Sequence, residues 1–287
     1  MTALGNPGTA IVYDSTADLP TGTAGRGSWS MVPLTVSFGS ESFRDYVDLD
    51  APDFYRRLAA ADSSPTTSQP TPAAFAEAYD SLLGRHQQII SLHLAGTLSG
   101  TVESARLAAL DFPGRVHVRD TGTVSIGLAT RVRVVQSMLD VGTTLEAVDA
   151  YLDGAEARTR VRFAVGTLEY LQRGGRIGRA AALVGGLLSV KPILAIENGK
   201  VVPIRRVRGA RKVIPALVEE LGAFVPPGAG GRLSITHSAV PEDAEALRVA
   251  LGQARPELAF DGVSELGPVV GTHGGPGTVA WCVELAG

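Results

Sequence analysis

A two-domain α/β fold is predicted by three features of the sequence. Buried-type strands alternate with amphipathic helices from Thr9 to Ala157, the pattern of a parallel sheet covered on both faces by helices. From Val161 the pattern changes to strands, short helices and a hairpin, which predicts a second, two-layer domain. The chain has 287 residues, 45% hydrophobic and 19% charged, enough for two cores. The boundary is placed near Arg160, so the domains cover 1–160 and 161–287.

The elements follow in order. Thr9 to Asp14 is an apolar run with strand composition. Ser15, Thr16 and Asp18 can cap a short helix, limited by Pro20 and the glycines after it. Met31 to Val36 predicts a strand, with Pro33 favouring an edge. Phe43 to Asp50 predicts a short excursion, and Asp53 to Ala61 a helix. Ser63 to Pro72 is rich in Ser, Thr and Pro and reads as a bounded loop. Thr71 caps the next helix, Pro72 takes its first position, Phe75, Tyr79 and Leu82 face inward, and Gly84 ends it. Ile89 to Leu94 and Val116 to Val118 predict strands. Val102, Ala105, Ala109 and Phe112 share one face of the helix between them. Thr123 to Leu139 and Thr144 to Ala157 predict two more helices.

In the second half, Val161 to Val165 predicts a strand and Leu168 to Gln172 a short helix. Arg173 to Gly178 is a glycine-rich loop with two arginines, and Ala180 to Leu188 reads as an apolar helix. Pro192 to Ile196 and Lys200 to Ile204 flank Glu197-Asn198-Gly199, a hairpin signal. Arg211 to Phe224 and Glu242 to Ala254 predict helices. Leu233 to Thr236 and Thr278 to Glu284 predict strands.

Composition narrows the function. The net charge is only −3, so no bulk field favours nucleic acid or an anionic membrane. Lysine occurs only at Lys191, Lys200 and Lys212. Cys282 is the single cysteine, which excludes a disulfide framework and a thiolate metal cluster and fits a reducing cytoplasm. Met1 to Gly8 lacks the basic and apolar regions of a signal peptide. No apolar run is long enough to span a bilayer.

Leu94 to Ala105 is the most informative stretch. It places Ser99 where a strand hands over to a helix, and helix starts carry free N–H groups that favour anions. Gly96 and Gly100 keep side chains away, while Ser99 and Thr101 supply hydroxyls. An ordinary helix cap is the plain alternative.

Six segments together resemble the DegV family, which includes the fatty-acid-binding subunits (FakB type) of bacterial fatty acid kinase. They are Ile11 to Pro20, Thr67 to Pro70, Leu98 to Thr101, Thr167 to Ile177, Lys191 to Leu194 and His273 to Gly277. The resemblance implies an α/β/α parallel-sheet domain, then a mixed-sheet domain with helices on one side. A long-chain fatty acid would lie between them. It implies a carrier without catalysis of its own and without cofactor or metal. A separate kinase subunit would make the acyl phosphate. No nucleic-acid partner is implied, and transient membrane contact is compatible.

Carried over by motif, Thr67 and Ser99 resemble the hydroxyls that hold the carboxylate, with Arg176 and His273 beside them. Family members often carry paired serines where this chain has Ala95 and Gly96. The chemistry is coherent: hydroxyls satisfy a buried carboxylate without adding charge, and one arginine or protonated histidine balances it. Leu183, Val184, Leu187, Leu188, Ile193 and Leu194 are candidates for the wall around the tail. Arg173, Arg205 and Arg208 are candidates to face the kinase or the transferring phosphate.

Two other readings compete. Ser99, His273 and Asp14 could form a hydrolase triad. Against it, Gly96-Thr97-Leu98-Ser99-Gly100 lacks the spacing of a nucleophile elbow. The other is a binding module for a different amphiphile, such as a lipid phosphate. A kinase is disfavoured by the lack of a phosphate-binding Gly-Lys-Ser/Thr loop, and a metal enzyme because the five histidines form no ligand-spaced pair.

Overall fold

The computed structural model describes residues 4, 8–19, 28–183 and 190–286. Its first half contains β1 (Thr9–Asp14), β2 (Trp29–Val32), β3 (Thr35–Phe38), β4 (Glu41–Arg44), α1 (Ala51–Ala60), β5 (Thr66–Ser68), α2 (Pro72–Leu83), β6 (Gln88–His93), α3 (Thr101–Ala109), β7 (Val116–Asp120), α4 (Ile126–Asp140), α5 (Leu145–Asp153) and α6 (Ala155–Arg158). Four strands form a parallel sheet in the order β2–β1–β6–β7. Side chains alternate across β1. Ile11 and Tyr13 pack with Leu128, Val132 and Val135 of α4, while Ala10 and Val12 pack with Phe75 and Tyr79 of α2 and Ala105 of α3. Helices therefore cover both faces.

Two expectations need correction here. Met31 to Val36 is not one strand. β2 stops at Val32 and the chain leaves the parallel sheet at Pro33, whose ring removes a ladder donor. The Leu34 amide instead bonds Ser15 Oγ at 3.0 Å. β3 then joins a separate antiparallel sheet in the order β4–β3–β5. Ser63 to Pro72 is not wholly a loop either, because β5 lies within it and pairs Thr67 with Val36. That pairing is non-local, so local composition does not reveal it.

The second half contains β8 (Thr159–Ala164), α7 (Glu169–Arg173), β9 (Val190–Glu197), β10 (Lys200–Arg208), α8 (Val213–Phe224), β11 (Gly231–His237), α9 (Pro241–Ala254), β12 (Leu258–Glu265), α10 (Pro268–Gly274) and β13 (Val279–Leu285). Its sheet has six strands in the order β10–β9–β8–β13–β11–β12. Only β11 and β12 run parallel; the other neighbours are antiparallel, so the sheet is mixed. Ile193, Ile235 and Trp281 face Leu217 and Leu221 of α8 and Leu247 and Leu251 of α9. Val161, Phe163, Val201 and Ala280 face the other way and meet Ile126 of α4. The hairpin turns at Asn198 and Gly199, both with positive φ (49° and 70°), as the Asn-Gly pair predicts.

The apolar helix expected over Ala180 to Leu188 is instead a 3₁₀ turn at Gly178–Leu183, and 184–188 lie outside the described residues. β12 and α10 escape sequence patterning. In β12 the pairing shifts register between Phe260 and Gly262, which breaks the alternation of side chains. α10 has seven residues, two of them glycine. Among the described residues, no helix is long and apolar enough to cross a membrane.

A buried ion pair joins the halves. Arg131 of α4 donates to Glu284 of β13 at 2.9 Å, to Thr159 of β8 at 2.5 Å and to the Tyr151 hydroxyl at 3.2 Å. Both charged side chains are under a tenth exposed. Arg131→Met leaves Glu284 with only the Thr159 hydroxyl and the more exposed Arg158, 4.0 Å away, and breaking a buried pair costs about 3–5 kcal/mol. Urea unfolding should read a fall of that size, largely recovered in Arg131→Met with Glu284→Leu. A loss below about 1 kcal/mol would mean that Arg158 and solvent suffice to hold the Glu284 charge.

Candidate functional site

A cavity of about 400 Å³ lies against the open face of the six-stranded sheet. Its walls come from both halves. Leu34, Leu94, Leu98, Val124 and Ile126 face Val161, Phe163, Leu171, Ile196 and Val201, with Leu266 just before α10 and Val269 and Val270 on it. Thr67, Ser99, Arg176 and His273 also line it. Four residues chosen from separate motifs thus border one apolar space.

Each is positioned by local structure. Thr67 sits on β5, and its Oγ1 is 2.9 Å from His273 Nε2. Ser99 follows β6 just before α3; its Oγ lies 2.9 Å from Thr101 Oγ1 and accepts from the Thr101 amide at 3.3 Å. Arg176 follows α7 in the glycine-rich turn. Its Nε donates to Leu98 O at 3.1 Å and its Nη1 to Gly174 O at 2.5 Å. The guanidinium therefore grips the loop that carries Ser99. His273 occupies the last turn of α10.

Burial, and secondarily the Arg176 charge, lowers the His273 pKa to about 4. The imidazole is thus neutral at neutral pH, and Arg176 carries the site's positive charge. His273 Nδ1 is buried without a hydrogen-bond partner among the described residues. Gly174 explains that side of the ring, since a Cβ there would collide with Nδ1. Gly174 is thus needed for close approach rather than only for a turn.

The triad does not assemble. His273 meets Thr67, Ser99 meets Thr101, and Asp14 is committed elsewhere. Asp14 Oδ2 lies 3.1 Å from His93 Nδ1 and accepts the Leu94 amide at 2.9 Å, while Oδ1 caps Thr16. Ala95 and Gly96 do not line the cavity. Ala95 packs under the Asn198-Gly199 turn, and the Gly96 amide bonds Asp120 at 2.9 Å. Thr97 Oγ1 donates to Gly199 O at 2.5 Å, so this loop is a seat for the hairpin.

The wall residues expected for the tail need correction. Ile193 is buried against α8 and Leu194 packs behind the lining, while Leu183 does not border the cavity. Val184, Leu187 and Leu188 lie outside the described residues. Gln69 and Ser125 were not singled out, yet both line the cavity. Gln69 sits in the quoted Thr-Ser-Gln-Pro run and donates to Ser104 Oγ at 2.8 Å. Ser125 has φ +56°, which no local pattern signals.

Arg173, Arg205 and Arg208 do not line the cavity. Arg173 is exposed, donates to Ser64 Oγ at 3.1 Å and pairs with Glu169 at 3.4 Å. Arg205 pairs with Glu219 at 2.6 Å. Arg208 is exposed at the end of β10.

Comparison with known proteins bears on this architecture. A family model described as an uncharacterised protein of the DegV family matches residues 8–285. A DegV domain-containing protein of Deinococcus radiodurans is 40% identical over 279 residues, covering 96% of this chain and 98% of that one. A fatty acid-binding protein of Thermotoga maritima is 34% identical over 282 residues, covering 96% and 97%. A structure described as fatty acid binding of a DegV family protein from Thermus thermophilus matches with a TM-score of 0.91 and 37% identity, covering 97% of this chain and 99% of that one. With the family model spanning nearly its whole length, the chain belongs to the DegV family.

Proposed function

We propose that this protein binds a long-chain fatty acid and presents its carboxylate to a separate kinase subunit in the cytoplasm. The observation that carries this reading is the convergence of Thr67, Ser99, Arg176 and His273 on one largely apolar cavity. The fatty acid binding ascribed to the Thermotoga and Thermus relatives supports it. On this reading the domains are 1–160 and 161–287, and the ligand lies between them. The tail takes the apolar space, and Thr67 and Ser99 donate to the carboxylate. Arg176 balances its charge while two of its nitrogens remain engaged with backbone carbonyls. With the one Thr67 hydroxyl hydrogen given to the carboxylate, neutral His273 donates from Nε2 to Thr67 Oγ1 and so directs the hydroxyl. A carboxylate held by hydroxyls keeps more nucleophilicity than one in a bidentate arginine clamp. The carboxylate oxygen would then form the new bond to the γ-phosphorus as the bond to ADP breaks, on the partner's nucleotide.

Ser99→Ala and Thr67→Val should each weaken fatty acid binding. A hydrogen bond to a charged acceptor is worth about 1.5–3 kcal/mol, so calorimetry should read roughly a ten- to hundredfold loss. The methyl ester should bind wild type less well and lose less on mutation. Equal losses for acid and ester would mean that the hydroxyls do not read the carboxylate. Native mass spectrometry of the purified protein supplies the direct test: a retained mass of a fatty acid supports the reading, and a phosphorylated lipid removes it.

The His273 pKa gives a second expectation, for the unliganded protein. The folded value, about 4, lies below the unfolded value of about 6.5. Between them the unfolded chain binds more protons, so this contribution is complete above about pH 6.5 and fades as pH falls toward 4. His273→Gln should flatten that part of a melting-temperature profile. An unchanged profile would mean that the ring titrates normally.

The kinase-facing surface is assigned to Arg173, Arg205 and Arg208. Arg173 and Arg208 are tested first, because the Arg205 pair with Glu219 at 2.6 Å is tighter than the Arg173 pair with Glu169 at 3.4 Å. Charge reversal at either should abolish kinase-dependent phosphorylation while fatty acid binding by the isolated protein stays near wild type. Full phosphorylation in both mutants would place the docking face elsewhere.

A further inference from the structure

The first motif, Asp14 to Asp18, gives only Thr16 to the cavity lining, although all five of its residues are buried. Asp14 is accounted for by its bonds to Thr16, His93 and Leu94. Asp18 is not. It ends the 3₁₀ turn Ser15–Ala17 in the left-handed region, φ +49°, and its side chain has almost no solvent exposure. Burying a carboxylate is costly unless donors surround it. Here three donors converge from three distant segments. Ser125 Oγ lies 2.5 Å away, the Tyr46 hydroxyl 3.1 Å and the Gly267 amide 2.9 Å.

One of these donors lines the cavity and another adjoins its wall. Ser125 lines it at the start of α4, and Gly267 sits between the lining residues Leu266 and Val269 as the N-cap of α10. Neighbouring contacts act on the same corner. The Tyr55 hydroxyl donates to Leu266 O at 3.1 Å, and Tyr46 also reaches Glu265 O at 3.4 Å. Asp45, fully buried, lies near Ser15 and Val269, although neither of its oxygens has a hydrogen-bond partner among the described residues. α10 itself is too short to hold its own position, since isolated helices of this length are unstable. Its first end is fixed at Gly267, and its last turn carries His273.

We propose that Asp18 is a positioning residue of the ligand cavity: by holding Gly267 and Ser125 it sets where α10 lies and keeps His273 opposite Thr67. This rests on the fatty acid reading of the cavity. Asp18 touches no ligand. It acts through α10, so its loss is felt at the polar end of the cavity, and an uncharged acceptor of the same shape can replace it. Asn offers a carbonyl oxygen to Gly267 and an amide to Ser125.

The experiment measures oleate binding by calorimetry for wild type, Asp18→Ala, Asp18→Asn and His273→Ala, and for Asp18→Ala with His273→Ala. Asp18→Ala should weaken oleate binding about tenfold or more, the scale of a lost hydrogen bond to a charged group. Asp18→Asn should return to within about threefold of wild type, a factor below one hydrogen bond. In the His273→Ala background, Asp18→Ala should cost little more, because coupled residues are not additive. An unchanged affinity in Asp18→Ala, or losses that multiply independently, overturns the proposal.

Wild type alone provides a readout that does not need the alanine variant to fold. If the Gly267 bond favours ligand, ligand favours the bond by the same factor. Saturating oleate should slow hydrogen exchange of the Gly267 amide more than that of Ile235 in the sheet core. Equal slowing overturns the proposal. Wild type that binds no oleate at all removes the fatty acid reading and the proposal with it, whereas normal binding with an indifferent Asp18→Ala removes the proposal alone.

Discussion

The hydrogen bond between Thr67 Oγ1 and His273 Nε2 joins residues 206 apart in sequence, and the rest of the site depends on it. For Thr67 to be there, β5 must pair with β3 in a small sheet that belongs to neither large one. For His273 to be there, α10 must be held at both ends, although it is only seven residues long. Gly174 then has to lack a side chain, because the imidazole fills the space that a Cβ would take. A single polar contact thus ties together a short antiparallel sheet, a short helix and a glycine turn. None of these would be stable alone.

The large elements were legible because their physics is local. Buried strands such as Thr9–Asp14 and capped helices such as Pro72–Leu83 announce themselves by composition, caps and period. The Asn198-Gly199 turn did so by its need for two positive φ angles. What stayed hidden is long-range. β5 looks like a loop because its partner is far away in sequence, and β12 because a bulge interrupts its alternation. The polar end was legible through motifs, while the apolar wall was not. Hydrophobic residues in a sheet look alike from sequence whether they face a helix, as Ile193 does, or a cavity, as Phe163 does.

The chemistry of the polar end follows from which of its groups carries charge. His273 is neutral because it is buried and because Arg176 stands near it. A second cation would have to be desolvated beside the first, and like charges at close range oppose this. One full positive charge therefore faces the cavity, partly committed to the carbonyls of Leu98 and Gly174. Such an arginine can neutralise an anion without gripping it in a two-pronged fork. It also latches the Ser99 loop from across the cavity. On the fatty acid reading, ligand charge and loop position are coupled through one side chain.

The same logic extends to the buried acids behind the wall. Burial raises the Asp18 pKa to about 7 and the Asp45 pKa to about 8, with the Asp14 charge adding to the cost of ionising Asp18 and the Asp18 charge to that of Asp45. Stability alone would favour apolar replacements here. The donors converging on Asp18 give its carboxylate a geometric role, because an apolar side chain could fill the volume but could not fix the Gly267 amide and the Ser125 hydroxyl at set distances. Hydrogen bonds are directional where packing is not. A cavity whose walls come from segments 107 and 249 residues away from Asp18 needs that directionality where the segments meet. The polar end of the cavity is consequently built in two layers: side chains that meet the space itself, and a buried carboxylate behind them that decides where the helix carrying one of those side chains begins.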